Sequence, residues 1–470
     1  MRLKYLTQAD VEKIHEATLQ LLEKTGIRSQ SERYLSKAKE VGLTVEDNVI
    51  YFPRKMVEKG LSTAPSHFTI YGRDENRHVH MGEKNAYNHT CVGTPFIMDI
   101  DTNQRRSVLL KDLEDFVRVA DALPTTDIIS CIFPQDIPSN AAVTCETAAM
   151  VKNTTKPLRI CIESDHETKY IIDVLAAARG GMEALREKPL AYIEVSPISP
   201  MDYSIGPANG LLDIVESGLP LGIIPCPMIG ATGPMTLIGT VTMHNAEIVA
   251  GVVMAQLVKP GHPTIMSPRV TFMNMQTGIG LWAAPEMGIA AACSCQMAAH
   301  YNIPCTVTGF SCSSKISDEE SGFESMYNTL LPALVGVDVC GASGSLDNAL
   351  TSCYKKLVSD NEVAALVQHA IKYREVNDDT LAVDVVHEVV NGEGNFLTAD
   401  HTFDYLRTEL WTPQISDRSL HDTWIENRTT FGDRAKAYAK TLLETHRPTP
   451  LSGEALAKVE DAVQRAIKGA

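Results

Sequence analysis

Brief apolar runs separated by longer helix-like segments give the centre of this chain a regular pattern. The runs cover residues 127–133, 158–162, 191–195, 221–224, 264–266, 305–308 and 337–340. A proline introduces five of them: Pro157, Pro189, Pro220, Pro263 and Pro304. Segments of helical character follow the runs, for example residues 235–258 and 285–300. The pattern predicts seven consecutive strand–helix units.

Strands that are apolar along their whole length are typical of parallel sheets, because helices cover both of their faces. Seven strand–helix units in succession predict an α/β protein, and specifically a (β/α)8 TIM barrel. The eighth strand is less evident in the sequence, and we assign it to residues 86–98. An open, doubly wound sheet is the alternative architecture.

Shorter elements flank the predicted barrel, which spans residues 85–376. Near the start, Thr7 has the character of a helix N-cap, and Gly26 ends the helix that follows. We therefore predict an N-terminal extension of one helix and short strands at residues 1–84. Residues 377–470 are predicted to form a mostly helical C-terminal extension with a polar tail.

The charge and the apolar segments limit the partners of this protein. The 470 residues carry a formal net charge of −16, whereas nucleic acids and anionic membranes bind basic surfaces. The most apolar region, residues 211–243, is interrupted repeatedly by Gly and Pro, which argues against a membrane span. The first ten residues lack a secretory pattern. We expect a cytoplasmic protein that binds neither nucleic acid nor membrane.

The cysteines and histidines do not predict a metal site. Eleven cysteines are scattered along the chain without a CxxC pair, so buried, reduced thiols are the favoured interpretation. His78 and His80 could point the same way from one strand, but no third ligand lies near them in sequence.

In a (β/α)8 barrel the active site lies at the carboxyl ends of the strands. The residues that follow the apolar runs are therefore the candidates for chemistry. They are mostly small, and neither a Ser/His/Asp triad nor a Gly-x-Ser-x-Gly elbow is evident. The segments are 163–166, 196–199, 226–227, 267–269, 309–315 and 341–345.

Three side chains in or near these segments have a specific alternative role. Arg269 could bind a carboxylate through two hydrogen bonds, or it could form an ion pair at the barrel rim. Lys315 is the second candidate for the carboxylate, and pairing with Asp318 is its alternative. Tyr354 could offer its ring to a cationic group, although core packing is the commoner fate of a single aromatic residue.

Several long stretches resemble the trimethylamine methyltransferase superfamily. They are "LTQADVEKIHEATLQLLEKTGI" at the N-terminus, "GATGPMTLIGTVTMHNAEIVAGVVMAQLVKPGHP", "TGFSCSSKISDEESGFES", "GASGSLDNALTSCYKKLVSDNE" and "GNFLTADHTFDYLR". The resemblance extends to about Arg418, nearly the whole chain. It implies a (β/α)8 barrel that transfers a methyl group from an amine to the cobalt of a separate corrinoid protein.

Archaeal trimethylamine enzymes of this superfamily carry pyrrolysine in the barrel, whereas this sequence uses only the twenty standard residues. Members without pyrrolysine act on quaternary amines such as glycine betaine, proline betaine, carnitine or γ-butyrobetaine. The resemblance therefore implies a quaternary amine as the methyl donor. A quaternary ammonium already carries its charge and leaves as a neutral tertiary amine, so we expect no acid–base residue on this chain, only residues that orient the substrate.

We therefore expect the corrinoid, a cobalamin-type cofactor, to be carried by a partner protein, with no cofactor or metal on this chain. We also expect a homo-oligomer. The residues predicted to surround the substrate are Arg269, Phe310, Ser311, Cys312, Lys315, Ser343 and Tyr354. Two other functions remain open: a lyase that binds anions on the glycine-rich loops after Ile229 and Cys340, and a non-catalytic osmolyte binder.

Overall fold

The computed structural model describes residues 3–74, 76–162, 164–392 and 394–469, and it shows a mixed α/β protein. The strands are β1 (Ile27–Ser29), β2 (Thr44–Glu46), β3 (Val49–Tyr51), β4 (Phe68–Tyr71), β5 (His78–Met81), β6 (Tyr87–Thr90), β7 (Phe96–Met98), β8 (Arg105–Ser107), β9 (Leu158–Ile162), β10 (Ala191–Val195), β11 (Asp202–Tyr203), β12 (Leu221–Ile223), β13 (Met228–Ile229), β14 (Thr264–Met266), β15 (Thr271–Met273), β16 (Gly280–Leu281), β17 (Thr306–Thr308), β18 (Val339–Ser343), β19 (Ser345–Leu346) and β20 (Thr351–Cys353). The α-helices are α1 (Gln8–Gln20), α2 (Glu32–Glu40), α3 (Arg54–Thr63), α4 (Leu110–Ala122), α5 (Ala142–Asn153), α6 (Thr168–Arg179), α7 (Met182–Glu187), α8 (Ile205–Ser217), α9 (Leu237–Val258), α10 (Pro285–Tyr301), α11 (Glu319–Val335), α12 (Tyr354–Ile371), α13 (Asp378–Leu381), α14 (Val383–Asn391), α15 (Asp400–Glu409), α16 (His421–Asn427), α17 (Phe431–Thr445) and α18 (Gly453–Lys468).

Parallel pairing connects the strands that the apolar runs predicted. One sheet has the order β14-β12-β10-β9, and a second has the order β17-β18-β6. Single parallel bridges join the two sheets: Met266 pairs with Cys305, His89 with Ile128, and Ile129 with Leu158. With the short segment at Ile128 and Ile129 included, each strand of these two sheets has a neighbour on both sides.

The predicted eighth strand, residues 86–98, contains two strands with different roles. β6 pairs in parallel with β18 and so belongs to the main set. β7 instead pairs in parallel with β20 and antiparallel with β8, in a separate sheet. The first half of residues 86–98 therefore belongs to the main parallel set, whereas the second half lies in a neighbouring sheet.

An apolar cluster closes the inner side of the parallel strands at one end. Ile128, Tyr192, Ile265 and Val339 come from alternate strands and form one buried cluster. The antiparallel β4–β5 hairpin adds Ile70, Val79 and Met81 to it. Successive side chains of a strand point to opposite faces, so residues two positions further along these strands continue the same inner side towards the carboxyl ends.

Helices cover the outer side of the strands. α9 is the most apolar of them, and it packs against α1, α3, α8 and α10. It is long and apolar enough to cross a membrane by length and composition, but most of it is buried inside the molecule. Its continuous apolar surface is therefore that of a central core helix.

The chain ends pack against this body. α1 and α3 lie on α9, and the small sheet β11-β1-β3-β2 joins the N-terminal strands to β11. α17 packs on α12 and α4, whereas α18 packs on α6 and α5. The described residues after 377 form helices and loops, and the division at residues 84/85 and 376/377 remains a prediction.

The segment that contains the predicted start of the C-terminal extension has no core of its own among its described residues. Where the structure describes residues 372–410, none of the side chains is buried. Large apolar side chains are exposed along it, including Val390 at 70%, Leu397 at 82% and Phe403 at 64%. We call residues 372–410 the exposed lobe.

Candidate active site

A cavity of about 600 Å³ opens at the carboxyl ends of the parallel strands. Residues at or just after the strand ends line it, and they include Cys161, Ser196, Ile224, Arg269, Thr308 and Ala342. The cavity thus lies where an α/β protein with parallel strands binds its ligand. Glu163, which follows β9, lies outside the described residues.

A buried ion pair supplies Arg159, which lines the cavity floor. Arg159 on β9 and Glu194 on β10 are in contact through Nη2 and Oε2, and their side chains are 3% and 0% exposed. Burial acts to lower the pKa of Arg159, but Glu194, Tyr192 and Cys161 together act against burial and the pKa is raised. Arg159 therefore stays charged and faces the cavity.

A second buried guanidinium lies beside this pair. Arg269 follows β14, and its Nη1 donates to the carbonyl oxygens of Thr306 at 2.8 Å and Pro268 at 3.0 Å. Burial lowers the pKa of Arg269, while Glu194 acts in the opposite direction. Among the described residues, Glu194 is the one carboxylate that contacts Arg159 and acts on Arg269, so two guanidinium groups outnumber it at the floor.

His89 on β6 completes the floor as a neutral group. Its Nδ1 lies 2.7 Å from the carbonyl oxygen of Thr90, so Nδ1 carries the proton and donates it. Burial, together with Arg159 and Arg269, holds the pKa of His89 well below its usual value. The ring lies against Gly341, where an added Cβ would be 1.7 Å from Nε2. Only glycine at position 341 leaves room for this ring.

The cavity walls are largely apolar and partly aromatic. Phe133 and Trp282 line them and are both half-buried. Val143 adds an aliphatic surface from α5, and Glu146 on the same helix is the acidic group of the wall. The polar floor and the apolar walls can therefore bind different parts of one ligand.

Of the side chains predicted to surround the substrate, Arg269 and Ser311 line the cavity. Phe310 is buried in the main core at 1% exposure and does not line it. The backbone amides of Gly309 and Phe310 both donate to the carbonyl of Gly341 at 2.9 Å. The chain therefore turns immediately after β17, and Phe310 no longer follows the alternation of the strand.

Cys312 and Ser343 are also buried outside the cavity. The Cys312 thiol donates to the carbonyl of Ser345 at 3.3 Å, and its own carbonyl accepts from the Asn348 amide at 2.9 Å. These contacts pin the loop after β17 against the loop after β18. Cys312 therefore holds the loop after β17 in place, whereas Ser311 lines the cavity.

Lys315 and Tyr354 lie away from the cavity. Lys315 is exposed, and its Nζ donates to the carbonyl of Ser313 at 2.6 Å and lies 3.7 Å from Asp347. It does not pair with Asp318, which caps α11. The Tyr354 ring is buried, with its centroid 5.7 Å from that of Phe116. Tyr354 is therefore a core residue, because α12 begins at this position and turns the ring inward.

Sequence reasoning missed Arg159, Glu194 and His89. The first two lie inside "LRICI" and "AYIEV", which were interpreted as continuous apolar strands. A charged side chain in the middle of a strand buried on both faces requires a buried partner. An Arg in one such strand and a Glu in the next was the signal that could have located the floor.

The alternative chemistries find little support in the geometry. The amides of Gly230, Ala231, Thr232 and Gly233 all donate to backbone carbonyls, so this loop has no free amides for an anion. The amide of Gly344 donates to the Asp360 carboxylate at 2.7 Å. Within the described parts of the chain, no three His, Cys, Asp or Glu side chains are placed to hold a metal ion.

Two known proteins similar in sequence to this chain are methyltransferases. It is 31% identical over 458 residues to the glycine betaine methyltransferase of Desulfitobacterium hafniense (strain Y51), which covers 97% of this chain and 95% of the relative. It is 30% identical over 455 residues to the trimethylamine methyltransferase MttB of Desulfitobacterium hafniense (strain DSM 10664 / DCB-2), with 96% and 91% covered.

A solved structure has the same fold. The monomethylamine methyltransferase MtmB of Methanosarcina barkeri superposes with a TM-score of 0.53 at 12% identity, over 99% of this chain and 95% of that one. By class, this protein is thus an α/β methyltransferase with its cavity at the strand ends. The family model "Trimethylamine methyltransferase (MTTB)" matches residues 1–469, and the chain belongs to this family.

Proposed function

We propose that this protein transfers a methyl group from a betaine-type quaternary amine to the Co(I) of a corrinoid carried by a partner protein. Candidate donors are glycine betaine, proline betaine, carnitine and γ-butyrobetaine. The two bacterial relatives differ by one percentage point in identity and act on different amines by name. The choice of substrate class therefore rests on the cavity.

The excess positive charge of the cavity floor carries the proposal. Within the part of the chain that the structure describes, Arg159 and Arg269 face one floor carboxylate, that of Glu194, and His89 is neutral. A buried charge is costly unless a counter-charge compensates it. A betaine brings a carboxylate to this floor, whereas trimethylammonium only adds a further positive charge.

The walls suit the other end of a betaine. A quaternary ammonium has no N–H group and cannot donate a hydrogen bond, so aromatic faces and nearby acidic groups are what bind it. Phe133 and Trp282 offer such faces, and Glu146 adds a negative charge. A betaine bound with its carboxylate on the floor would direct its N-methyl groups towards the mouth.

The reaction itself requires orientation rather than acid–base chemistry. The N–CH3 bond breaks, its electron pair stays on nitrogen, and a neutral tertiary amine leaves. The reduced corrinoid is the second substrate: Co(I) supplies the electron pair for the new Co–CH3 bond and becomes methyl-Co(III). The contribution of this chain is to fix the donor in line with the acceptor and to exclude water.

The remaining features of the proposal follow from the same interpretation. We interpret the parallel strands as a (β/α)8 barrel whose mouth receives the corrinoid domain. No cofactor or metal is proposed on this chain, and a cytoplasmic location is proposed. The exposed lobe supports the expected homo-oligomer, because apolar patches of this extent usually mark an interface.

A panel of amines tests the proposed function. The purified protein is mixed with a corrinoid protein reduced to Co(I), and then with each betaine or with trimethylamine. We expect methyl-Co(III) to form with at least one betaine and not with trimethylamine. Transfer from trimethylamine alone would refute the substrate class, and binding of betaine without any transfer would favour the osmolyte binder.

A further inference from the structure

The two arginines of the floor differ in how their donors are used. Arg159 is bound to Glu194 through Nη2. Its Nε and Nη1 have no hydrogen-bond partner among the residues that the structure describes, although both atoms are buried. Arg269 instead directs Nη1 to two backbone carbonyls and has Nη2 3.4 Å from Thr306 Oγ1.

Unused guanidinium donors in a buried site have a physical consequence. A buried N–H without an acceptor loses its hydrogen bonds to water without replacement, and the cost is larger where the group is charged. The carbonyls around Arg269 offset this cost for its Nη1. Arg159, by contrast, has two buried N–H donor groups without an acceptor among the described residues, and it lines the cavity.

We propose that Arg159 is the residue that hydrogen-bonds the substrate carboxylate, and that Glu194 is a positioning residue that holds its guanidinium in place. Arg269 then contributes positive charge while its Nη1 stays on the two backbone carbonyls. This inference rests on the proposed function and adds to it the residue that recognises the substrate class.

The position of Arg159 along its strand also fixes how the substrate lies. Arg159 and Cys161 of β9 both line the cavity, and Arg159 lies two positions earlier, which corresponds to about 6–7 Å along a strand. A carboxylate bound to Arg159 is therefore at the deep end. The quaternary nitrogen must lie nearer the mouth, where the methyl group is transferred.

Calorimetric binding to two ligands tests the assignment. The ligands are the betaine that wild-type protein binds most tightly in the panel, and its methyl ester, which keeps the quaternary group but lacks the negative charge. Wild-type protein should prefer the betaine. Arg159→Gln should reduce this preference by about tenfold or more, the loss expected for one charge-assisted hydrogen bond.

Arg269→Gln is the matched control, since it removes the neighbouring charge from the same floor. It should reduce the preference less than Arg159→Gln does, because only charge and no direct hydrogen bond is lost. The assignment is overturned if Arg269→Gln abolishes the preference while Arg159→Gln retains it, or if neither variant changes it.

Loss of Arg159 leaves Glu194 buried without its partner, so the single variant could be unstable. The double variant Arg159→Gln/Glu194→Gln removes both charges and should restore the thermal midpoint without restoring the preference for the betaine. Recovery of the preference in the double variant would show that Arg159 acts only through folding. Failure of wild-type protein to bind any betaine would refute the proposed function itself, which is a distinct result.

Discussion

Replacing Gly341 with alanine is a direct perturbation of the cavity floor. A Cβ at this position would lie 1.7 Å from His89 Nε2, 2.0 Å from Cε1 and 2.4 Å from Cδ2. The ring has to move, because no carbon atom is tolerated at these distances. Since His89 is 2% exposed, the ring can move only by displacing its packed neighbours.

The expected cost follows from what the movement breaks. The hydrogen bond from His89 Nδ1 to the Thr90 carbonyl is worth about 1 kcal/mol. Overpacking a filled core site adds about 1–3 kcal/mol. Gly341→Ala should therefore lower the free energy of unfolding by about 2–4 kcal/mol in total.

Urea unfolding followed by circular dichroism measures this change. Gly322→Ala is the control, because this exposed helical glycine has nothing within 4 Å of an added Cβ. It should stabilise the protein by about 0.5–1 kcal/mol. In a His89→Ala background the cost of Gly341→Ala should largely disappear. An unchanged cost in that background, or a Gly341→Ala variant as stable as wild type, would refute the reasoning.

Four further outcomes are expected. Trp282→Leu removes an aromatic face from the cavity wall and should weaken binding of a betaine and of its ester alike, by about 0.5–2 kcal/mol; unaltered binding would remove Trp282 from the site. Tyr354→Leu should lower the free energy of unfolding by about 2–4 kcal/mol and leave KM unchanged, because its ring packs on Phe116. A raised KM at unchanged stability would show that Tyr354 contacts the substrate. Burial raises the pKa of Glu247 from 4.5 to about 7, so the folded state binds the extra proton and stability falls as pH rises through this interval. Glu247→Gln should flatten that part of the curve of unfolding free energy against pH, and an unaltered slope would contradict the assignment. Dialysis against a chelator should leave methyl transfer intact when corrinoid is supplied, whereas a loss restored by zinc would reveal a metal requirement.

The alternation of apolar runs and helical segments was sufficient to predict the α/β fold and most of its parallel strands. Continuous burial on both faces imposes an apolar sequence on each strand, so the pattern can be recognised without tertiary information. The split of residues 86–98 between β6 and β7 could not be predicted in this way. Its cause is pairing with β18 and β20, which lie about 250 residues further along the chain.

The site was harder to predict, because the side chains that build it come from many strands. Arg269 and Ser311, predicted from their position after a strand, line the cavity, and their role in binding stays a prediction. Phe310 and Tyr354 were expected at the substrate but lie outside the cavity. The Gly341 carbonyl, which accepts from the amides of Gly309 and Phe310, sets the direction of the Phe310 ring, and the start of α12 sets that of Tyr354. The Arg159–Glu194 pair depends on the register of two neighbouring strands, and register is a tertiary property.

Transfer of an isotopically labelled methyl group tests the central claim most directly. Wild-type protein is incubated with an N-trideuteromethyl betaine and a partner corrinoid reduced to Co(I), and both products are analysed by mass spectrometry. We predict a trideuteromethyl group on cobalt and the tertiary amine in equal amounts, with the carboxylate of the donor intact. Bound betaine that is recovered unchanged, or a cobalt that stays unmethylated while the amine is consumed, would contradict the proposed methyl transfer.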